Sequence, residues 1–284
     1  MTPATAAGLE PVLRLAAADR ARCVELAVSR AWGAEERVWD LLFEVGEVYG
    51  IEDGDGRLLA TAVLSRYGTQ LATVSLVLVA ESHEHQGYGT AIMRHVLDQA
   101  GGATVVLHST PAGRPLYESL GFRTFGGGEP HVGRFDMTGT RPGGSREATE
   151  ADLPKIAELD REVFGADRTA LIKRLPRFAD RIRVLQDAQG AITGYGATWR
   201  DGGTTMIGPV LAPDFVGARN LITDLADGVA GPLRLDVDAE ADDLSTWVCG
   251  HGLKVVSGCT HMALGGVAPM DVTRLHAPLM CALG

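Results

Sequence analysis

Lysine is nearly absent from this 284-residue chain: Lys155, Lys173 and Lys254 are the only ones, and arginine makes up the rest of 26 basic residues set against 36 Asp and Glu. The formal charge of −10 at pH 7 excludes a general nucleic-acid binder, whose affinity comes from a basic face set against phosphate. Cysteine is also scarce. Cys23, Cys249, Cys259 and Cys281 follow no framework spacing, so no disulfide scaffold is expected and reduced thiols in a cytoplasmic protein are. No run of about eighteen uncharged apolar residues occurs, so no membrane span is expected. The opening residues carry neither a basic patch nor a long apolar core, so no signal peptide is expected either. A hydrophobic content of 45% and a length of 284 residues suit two well-cored domains.

Glycine is abundant, and one use of it is specific. Between an apolar run ending at Val79 and an amphipathic stretch from Thr90 to Ala100 stands Gln86-Gly87-Tyr88-Gly89-Thr90-Ala91. A strand that breaks into a Gly-spaced turn and opens a helix aims successive backbone N–H groups, and the positive end of the helix dipole, at one spot suited to a pyrophosphate. Glycine belongs there because a Cβ blocks the ligand's approach and resists positive φ. A Walker loop requires Gly-Lys-Ser/Thr, and no lysine is near. A dinucleotide fingerprint requires a third glycine and an acid closing the next strand, where this chain has Ile92 and His108.

What remains, Arg/Gln-x-x-Gly-x-Gly/Ala, resembles the acetyl-CoA loop of the GNAT superfamily of N-acetyltransferases. After a buried strand from Ala103 to His108, Tyr117-x-x-x-Gly121-Phe122 resembles the end of the short helix that follows the fifth strand in that family. The resemblance covers most of the chain and is most specific over residues 76 to 122. It implies an α/β fold with a mostly antiparallel, twisted mixed sheet flanked by helices and a splayed central strand pair. It also implies acetyl-CoA as cosubstrate. Leu78 and Val79, on a strand predicted from Gln70 to Ala80, would offer backbone groups to the pantetheine and thioester. Gln86, Gly87, Tyr88, Gly89, Thr90 and Ala91 would cradle the pyrophosphate. Arg114 would reach a CoA phosphate or cap a solvated helix start.

The chemistry accounts for the tyrosine. When an amine attacks the thioester, the departing thiolate leaves more readily if a nearby acid protonates it, and a phenol of pKa about 10 is protonated at neutral pH. Tyr117 is therefore the expected general acid. An alkylammonium must lose a proton before it attacks, and Glu81, His83, Glu84 and His85 are the titratable groups beside the strand end; Glu81 is the first choice for the base and His83 the second.

Residues 138 to 146, rich in glycine, proline and small polar residues, read as a linker between a catalytic domain at 1–140 and a second domain at 145–284. Each side opens alike. A short strand (Val12 to Leu15; Ser145 to Ala148) leads into an amphipathic helix (Ala17 to Arg30; Glu150 to Val163), so a tandem repeat of one fold is expected. Further strands are predicted at Arg181 to Gln186, Ala191 to Arg200, Thr204 to Val210 and Leu233 to Val237, with a helix from Val216 to Val229. The second copy lacks the chemistry. Its loop reads Ala212-Pro213-Asp214-Phe215-Val216-Gly217-Ala218, with a carboxylate facing the intended anion, and Val248 stands four before Gly252-Leu253 where tyrosine belongs. The tail from Gly265 to Gly284 would finish the sheet or wall a cavity between the halves.

The expected activity is N-acetylation of a primary amine on a small cationic molecule, toward which the acidic charge is mildly favourable. Direct transfer is expected, since no cysteine lies near the loop or Tyr117 in sequence to form an acyl-enzyme. O-acetylation, transfer of a longer acyl chain, and a non-catalytic CoA-binding regulatory role are the alternatives. A monomer or homodimer without nucleic-acid or membrane partners is expected. No metal is expected either: Cys249-Gly-His251 and Cys259-Thr-His261 are spaced more tightly than zinc-ligand pairs, and only the second, on a strand, would face one way.

Overall fold

The computed structural model describes residues 9–33, 35–281 and 283. The first half runs β1 (Leu13–Arg14), α1 (Arg20–Ser29), α2 (Glu36–Val45), β2 (Glu47–Glu52), β3 (Leu58–Tyr67), β4 (Leu71–Val79), α3 (Tyr88–Ala100), β5 (Thr104–Ser109), α4 (Arg114–Ser119) and β6 (Arg123–Gly133). The second half opens with β7 (Arg146–Glu147), α5 (Leu153–Phe164), α6 (Thr169–Ile172), α7 (Leu175–Phe178), β8 (Arg181–Gln186), β9 (Ile192–Asp201) and β10 (Thr204–Leu211). It continues with α8 (Phe215–Ala226), β11 (Leu233–Asp238), α9 (Asp242–Gly250), β12 (Leu253–Val255), β13 (Cys259–Leu264) and β14 (Leu275–Ala277).

The predicted elements are present with small shifts, and one shift recurs in both halves. The helices expected from Ala17 and Glu150 open as single 3₁₀ turns, Ala17–Asp19 and Glu150–Asp152. Each turn ends on an aspartate that reaches back: Asp19 accepts from the Ala16 N–H at 2.8 Å and Asp152 from the Thr149 N–H at 2.7 Å. The same device at the same place is a structural mark of the repeat. Helix α3 begins at Tyr88, so Tyr88 and Gly89 lie in its first turn. Its buried side chains Ile92, Met93, Val96 and Ala100 recur at helical spacing and form one apolar stripe. Burying Ile92, Met93 and Val96 fully stabilises the packing by about 1.5–3 kcal/mol each. Gly101, at φ 65°, ends the helix in the left-handed conformation that glycine adopts without penalty.

All the strands belong to one sheet of order β1-β2-β3-β4-β5-β13-β6-β11-β10-β9-β8-β7, with β12 beside β6 and β14 beside β10. Pairing is antiparallel except for β4 with β5 and β10 with β11. The segment at 138–146 joins the halves in sequence, but hydrogen bonding does not stop there. β13, from the second half, pairs with β5 of the first at Val105 to Ser109. β6, from the first half, pairs with β11 of the second at Gly128 to Gly133. The two exchanged strands also pair with each other from Arg123 to Gly128. Each half therefore completes its sheet with a strand from the other, and one apolar core includes Trp39 and Leu42 together with Ile156, Tyr195 and Trp199.

Candidate active site

Strand β4 carries the first part of the site. Opposite β3 its register slips: Ser75 faces Val63 and Leu78 faces Thr61, so Leu76 and Val77 oppose Ala62 alone. Leu76 takes φ 45°, and its carbonyl accepts from Thr61 Oγ1 at 3.1 Å. Such a bulge bends and twists the strand. On its other edge β4 pairs with β5 only from Leu71 to Thr73, so beyond that point the two strands diverge and the main chain from Val74 to Val79 is outside the ladder on that side. Leu78 and Val79 wall the resulting cleft of about 500 Å³.

The loop after β4 brings the second part. His85 at φ 58° and Gly87 at φ 93° turn the chain into α3, and the first intrahelical bond at that end is from the Ala91 N–H to the Gly87 carbonyl at 2.9 Å. The N–H groups of Tyr88, Gly89 and Thr90 therefore have no intrahelical partner, and no side chain caps the helix. Gly87, Tyr88, Gly89 and Thr90 line the same cleft as Leu78 and Val79. A Cβ on Gly89 would stand 3.2 Å from Leu116 and 3.7 Å from Val79, so this glycine also permits close packing of helix on strand. The Tyr88 hydroxyl donates to Glu10 at 2.9 Å.

Tyr117, on α4, lines the cleft from the far side, and Phe122 packs edge-on against its ring at 5.9 Å. Burial pushes its phenol up to about 12, which favours the protonated, donor form.

Four residues expected at the site lie elsewhere. Gln86 is exposed and turns back to donate to the Ser82 carbonyl at 2.9 Å. Ala91 lies beyond the three open N–H groups and does not line the cleft. Arg114 is exposed and pairs along its own helix with Glu118 at 2.7 Å, which fits the solvated helix start rather than a phosphate contact. Glu81, the first choice for the base, sits exposed at the start of a 3₁₀ turn and walls neither this cleft nor the second one described below, whereas His83 at the end of that turn does line this one. Glu84 lines it too but is ion-paired with Arg30.

A second cleft of about 460 Å³ opens between the halves, walled by Trp32, Glu35 and Trp39 from one side and Trp199, Asp201 and Asp236 from the other. Leu76, His108 and Thr110 line both clefts, so the two meet where β4 and β5 diverge. The Asp201 carboxylate has no hydrogen-bond or ion-pair partner among the described residues, and burial followed by the nearby Glu35 raises its pKa. Opposite it stands Gly33, where a Cβ would lie 2.7 Å from Asp201 Oδ1. His108 stacks on His261 of β13 with ring centroids 4.1 Å apart. Burial, then the neighbouring His261, holds His108 well below the ordinary imidazole range, so it is neutral. Cys259 also lines the second cleft but not the first, so its approach to His108 through strand exchange leaves no thiol of the described residues in the first cleft. A hydrogen bond with the Cys281 thiol lowers the Cys259 thiol, while burial opposes the fall.

The second half keeps the scaffold of the first and closes its site. β10 pairs with β11 only from Thr205 to Ile207, and beyond that point β10 slips register against β9, with Gly208 and Pro209 opposing Ala197 alone. Here, however, β14 pairs with β10 at Val210 and Leu211, and a Cβ on Gly208 would meet the Pro278 carbonyl at 2.2 Å. The chain's own tail fills the opening. At the following helix, Asp214 accepts from the Gly217 N–H at 2.8 Å, so a resident carboxylate takes the position that an anion would occupy. Cys281 and Met280 continue the tail into the wall of the second cleft, held by the Trp199 indole N–H donating to the Leu279 carbonyl at 3.1 Å.

Models of the acetyltransferase (GNAT) domain match residues 44–124 and, separately, residues 156–277. The chain belongs to the GNAT acetyltransferase superfamily. It is a tandem of two such domains. It is similar to the uncharacterized N-acetyltransferase YitH of Bacillus subtilis, at 26% identity over 258 residues, 88% of this chain and 89% of that one. In fold it is similar to a putative acetyltransferase from Pyrococcus horikoshii, with a TM-score of 0.84 at 18% identity over 100% of this chain and 99% of that one. A tandem GNAT protein from the clavulanic acid biosynthesis pathway gives a TM-score of 0.66 at 15% identity, over 90% of this chain and 99% of that one. Among the described residues no helix of this GNAT protein is long and apolar enough to cross a membrane.

What sequence reasoning missed is two residues of the second cleft, His108 and Asp201. His108 entered only as an argument against a dinucleotide site, and Asp201 did not enter at all. Neither carries a local signal, because strand register and the packing of the halves bring them to the clefts.

Proposed function

We propose that this GNAT protein transfers an acetyl group from acetyl-CoA directly to a primary amine of a small cationic molecule, using the cleft of the first half for the cofactor and the cleft between the halves for the acceptor. The observation that carries this reading is the junction at Leu76, His108 and Thr110, where a cleft walled by Tyr117 and the open N–H groups of α3 meets one holding the unpartnered carboxylate of Asp201. The ammonium releases a proton to solvent, the amine nitrogen bonds to the thioester carbon, and the carbon–sulfur bond breaks. Tyr117 gives its proton to the departing sulfur and regains one from the nitrogen through solvent. The C-terminal half, its own opening filled by β14, serves as the acceptor wall.

Thiol release from acetyl-CoA, followed across a panel of mono- and diamines, tests this reading, with alcohols and longer acyl-CoA thioesters as further arms. Release that depends on a diamine is expected. Acetyl-CoA binding without release for any acceptor would instead favour a non-catalytic CoA-binding role.

A further inference from the structure

The seam between the exchanged strands holds a set of soft ligands that acetyl transfer does not use. Cys259 and His261 are two residues apart on β13, so their side chains share one face of the sheet. His108 stands directly opposite His261 in the β5–β13 ladder, on that same face. One ring nitrogen of each histidine and the Cys259 sulfur all lie within 4.8 Å of one another. The facing strand makes room. A Cβ on Gly128 would lie 2.9 Å from His261 Nε2 and 3.1 Å from Cys259 Sγ.

Two further observations point to a ligand here. His108 Nδ1 is buried without any hydrogen-bond partner among the described residues, a state that buried polar atoms rarely tolerate. A small cavity of about 40 Å³ opens against the three side chains and is also walled by Cys281 and Asp236. That is room for an ion with one or two waters. Cys281 walls the same cavity, and its thiol donates to Asp236 at 3.3 Å, which brings a second sulfur to the edge of the group.

We propose that His108, Cys259 and His261 bind one divalent transition-metal ion of the zinc class, with Cys281 closing the fourth position. Two imidazoles and two thiolates are the donors of a tetrahedral zinc site, whereas magnesium and calcium take oxygen ligands. Bonds of about 2.0–2.3 Å hold tetrahedral ligand atoms roughly 3.3–3.8 Å apart, so the cluster closes by about 1 Å on binding. The histidine rings, which lie face to face at 21°, turn about χ2 to converge, and each coordinating thiol releases one proton. The ion ties β5 of the first half to β13 and the tail of the second. It sits in the wall of the second cleft, which His108, Cys259 and Cys281 line, independently of whether the protein transfers acetyl groups.

The test uses the full chain, stripped with a chelator, loaded with zinc or cobalt chloride and desalted. One metal per chain, a thiolate-to-cobalt charge-transfer band, and a zinc-dependent rise in the unfolding temperature are expected. Cys259→Ser, His261→Asn and His108→Gln should each lower retained metal at least tenfold, while Cys249→Ser, at an exposed thiol elsewhere, should retain it fully. The unsubstituted chain needs no folding control: failure to retain metal, or cobalt bound without the charge-transfer band, would overturn the proposal. So would uptake by folded Cys259→Ser equal to that of the unsubstituted chain.

Discussion

His108 and His261 stack at 4.1 Å across two strands that belong to opposite halves of the chain. That contact exists only because β13 leaves its own half to lie beside β5, while β6 leaves the other half to lie beside β11. The exchange makes the halves interdependent and brings Cys259 of β13 into the wall of the second cleft.

Interdependence is measurable with fragments. Residues 1–140 expressed alone retain β6 without β11, and residues 141–284 retain β13 without β5, so each exposes strand edges that the intact sheet covers. Neither fragment should show a cooperative thermal transition, and the two co-expressed should purify as a one-to-one complex. A monomeric fragment with a sharp transition would contradict the account.

Tyr117→Phe keeps the ring and removes the proton donor. Turnover should fall by roughly 10²-fold or more, with the KM for acetyl-CoA within about twofold of the parent, because the lost interaction is made with the leaving group. Burial raises the phenol, so its protonated form persists up to about pH 12. The kcat profile should therefore show no fall from this group near pH 10, where an unperturbed phenol would lose its proton. A parental kcat in Tyr117→Phe would remove the tyrosine from the mechanism.

Asp201→Asn tests the acceptor side. The KM for a diamine should rise about tenfold, corresponding to about 1.4 kcal/mol, while that for a monoamine with a neutral tail and that for acetyl-CoA stay unchanged. An equal rise for both amines would place Asp201 in the scaffold rather than in recognition.

In the core of the second half, Asp160 accepts from Arg168 through both oxygens, at 2.9 and 2.6 Å, and from the Tyr195 hydroxyl, with all three side chains buried. Asp160→Asn takes this carboxylate's charge away from a buried guanidinium. Urea unfolding should show a loss of about 3–5 kcal/mol, and a loss under 1 kcal/mol would show that the arginine relaxes to solvent.

The parts of this protein that were legible in sequence are those encoded locally. Gly87 and Gly89 punctuate a strand-to-helix turn, and Tyr117 and Gly121 mark a short helix and the turn just past its end. The degeneracy of the second loop was legible too, since Asp214 does cap its helix where an anion would sit. Strand partnership was not legible. An alternating or apolar run specifies which face is buried but not which strand lies beside it, so the exchange of β6 and β13 left no trace in the pattern. With it went the stacking of His108 on His261, whereas the tail was expected to finish the sheet or wall a cavity, and β14 does pair with β10. The single residue between Cys259 and His261 argues against a metal, but that spacing says nothing of His108, which faces His261 from the neighbouring strand.

On the proposed function, the first half binds acetyl-CoA at the open end of α3 and the second half, its opening filled by its own tail, does not. Calorimetric titration of the full chain with acetyl-CoA tests it directly. One site per chain is predicted, weakened at least tenfold by Gly87→Val, which puts a branched side chain at φ 93° beside the open N–H groups, and unchanged by Gly217→Ala in the second half. Two sites per chain, or a single site that survives Gly87→Val and is lost in Gly217→Ala, would contradict it.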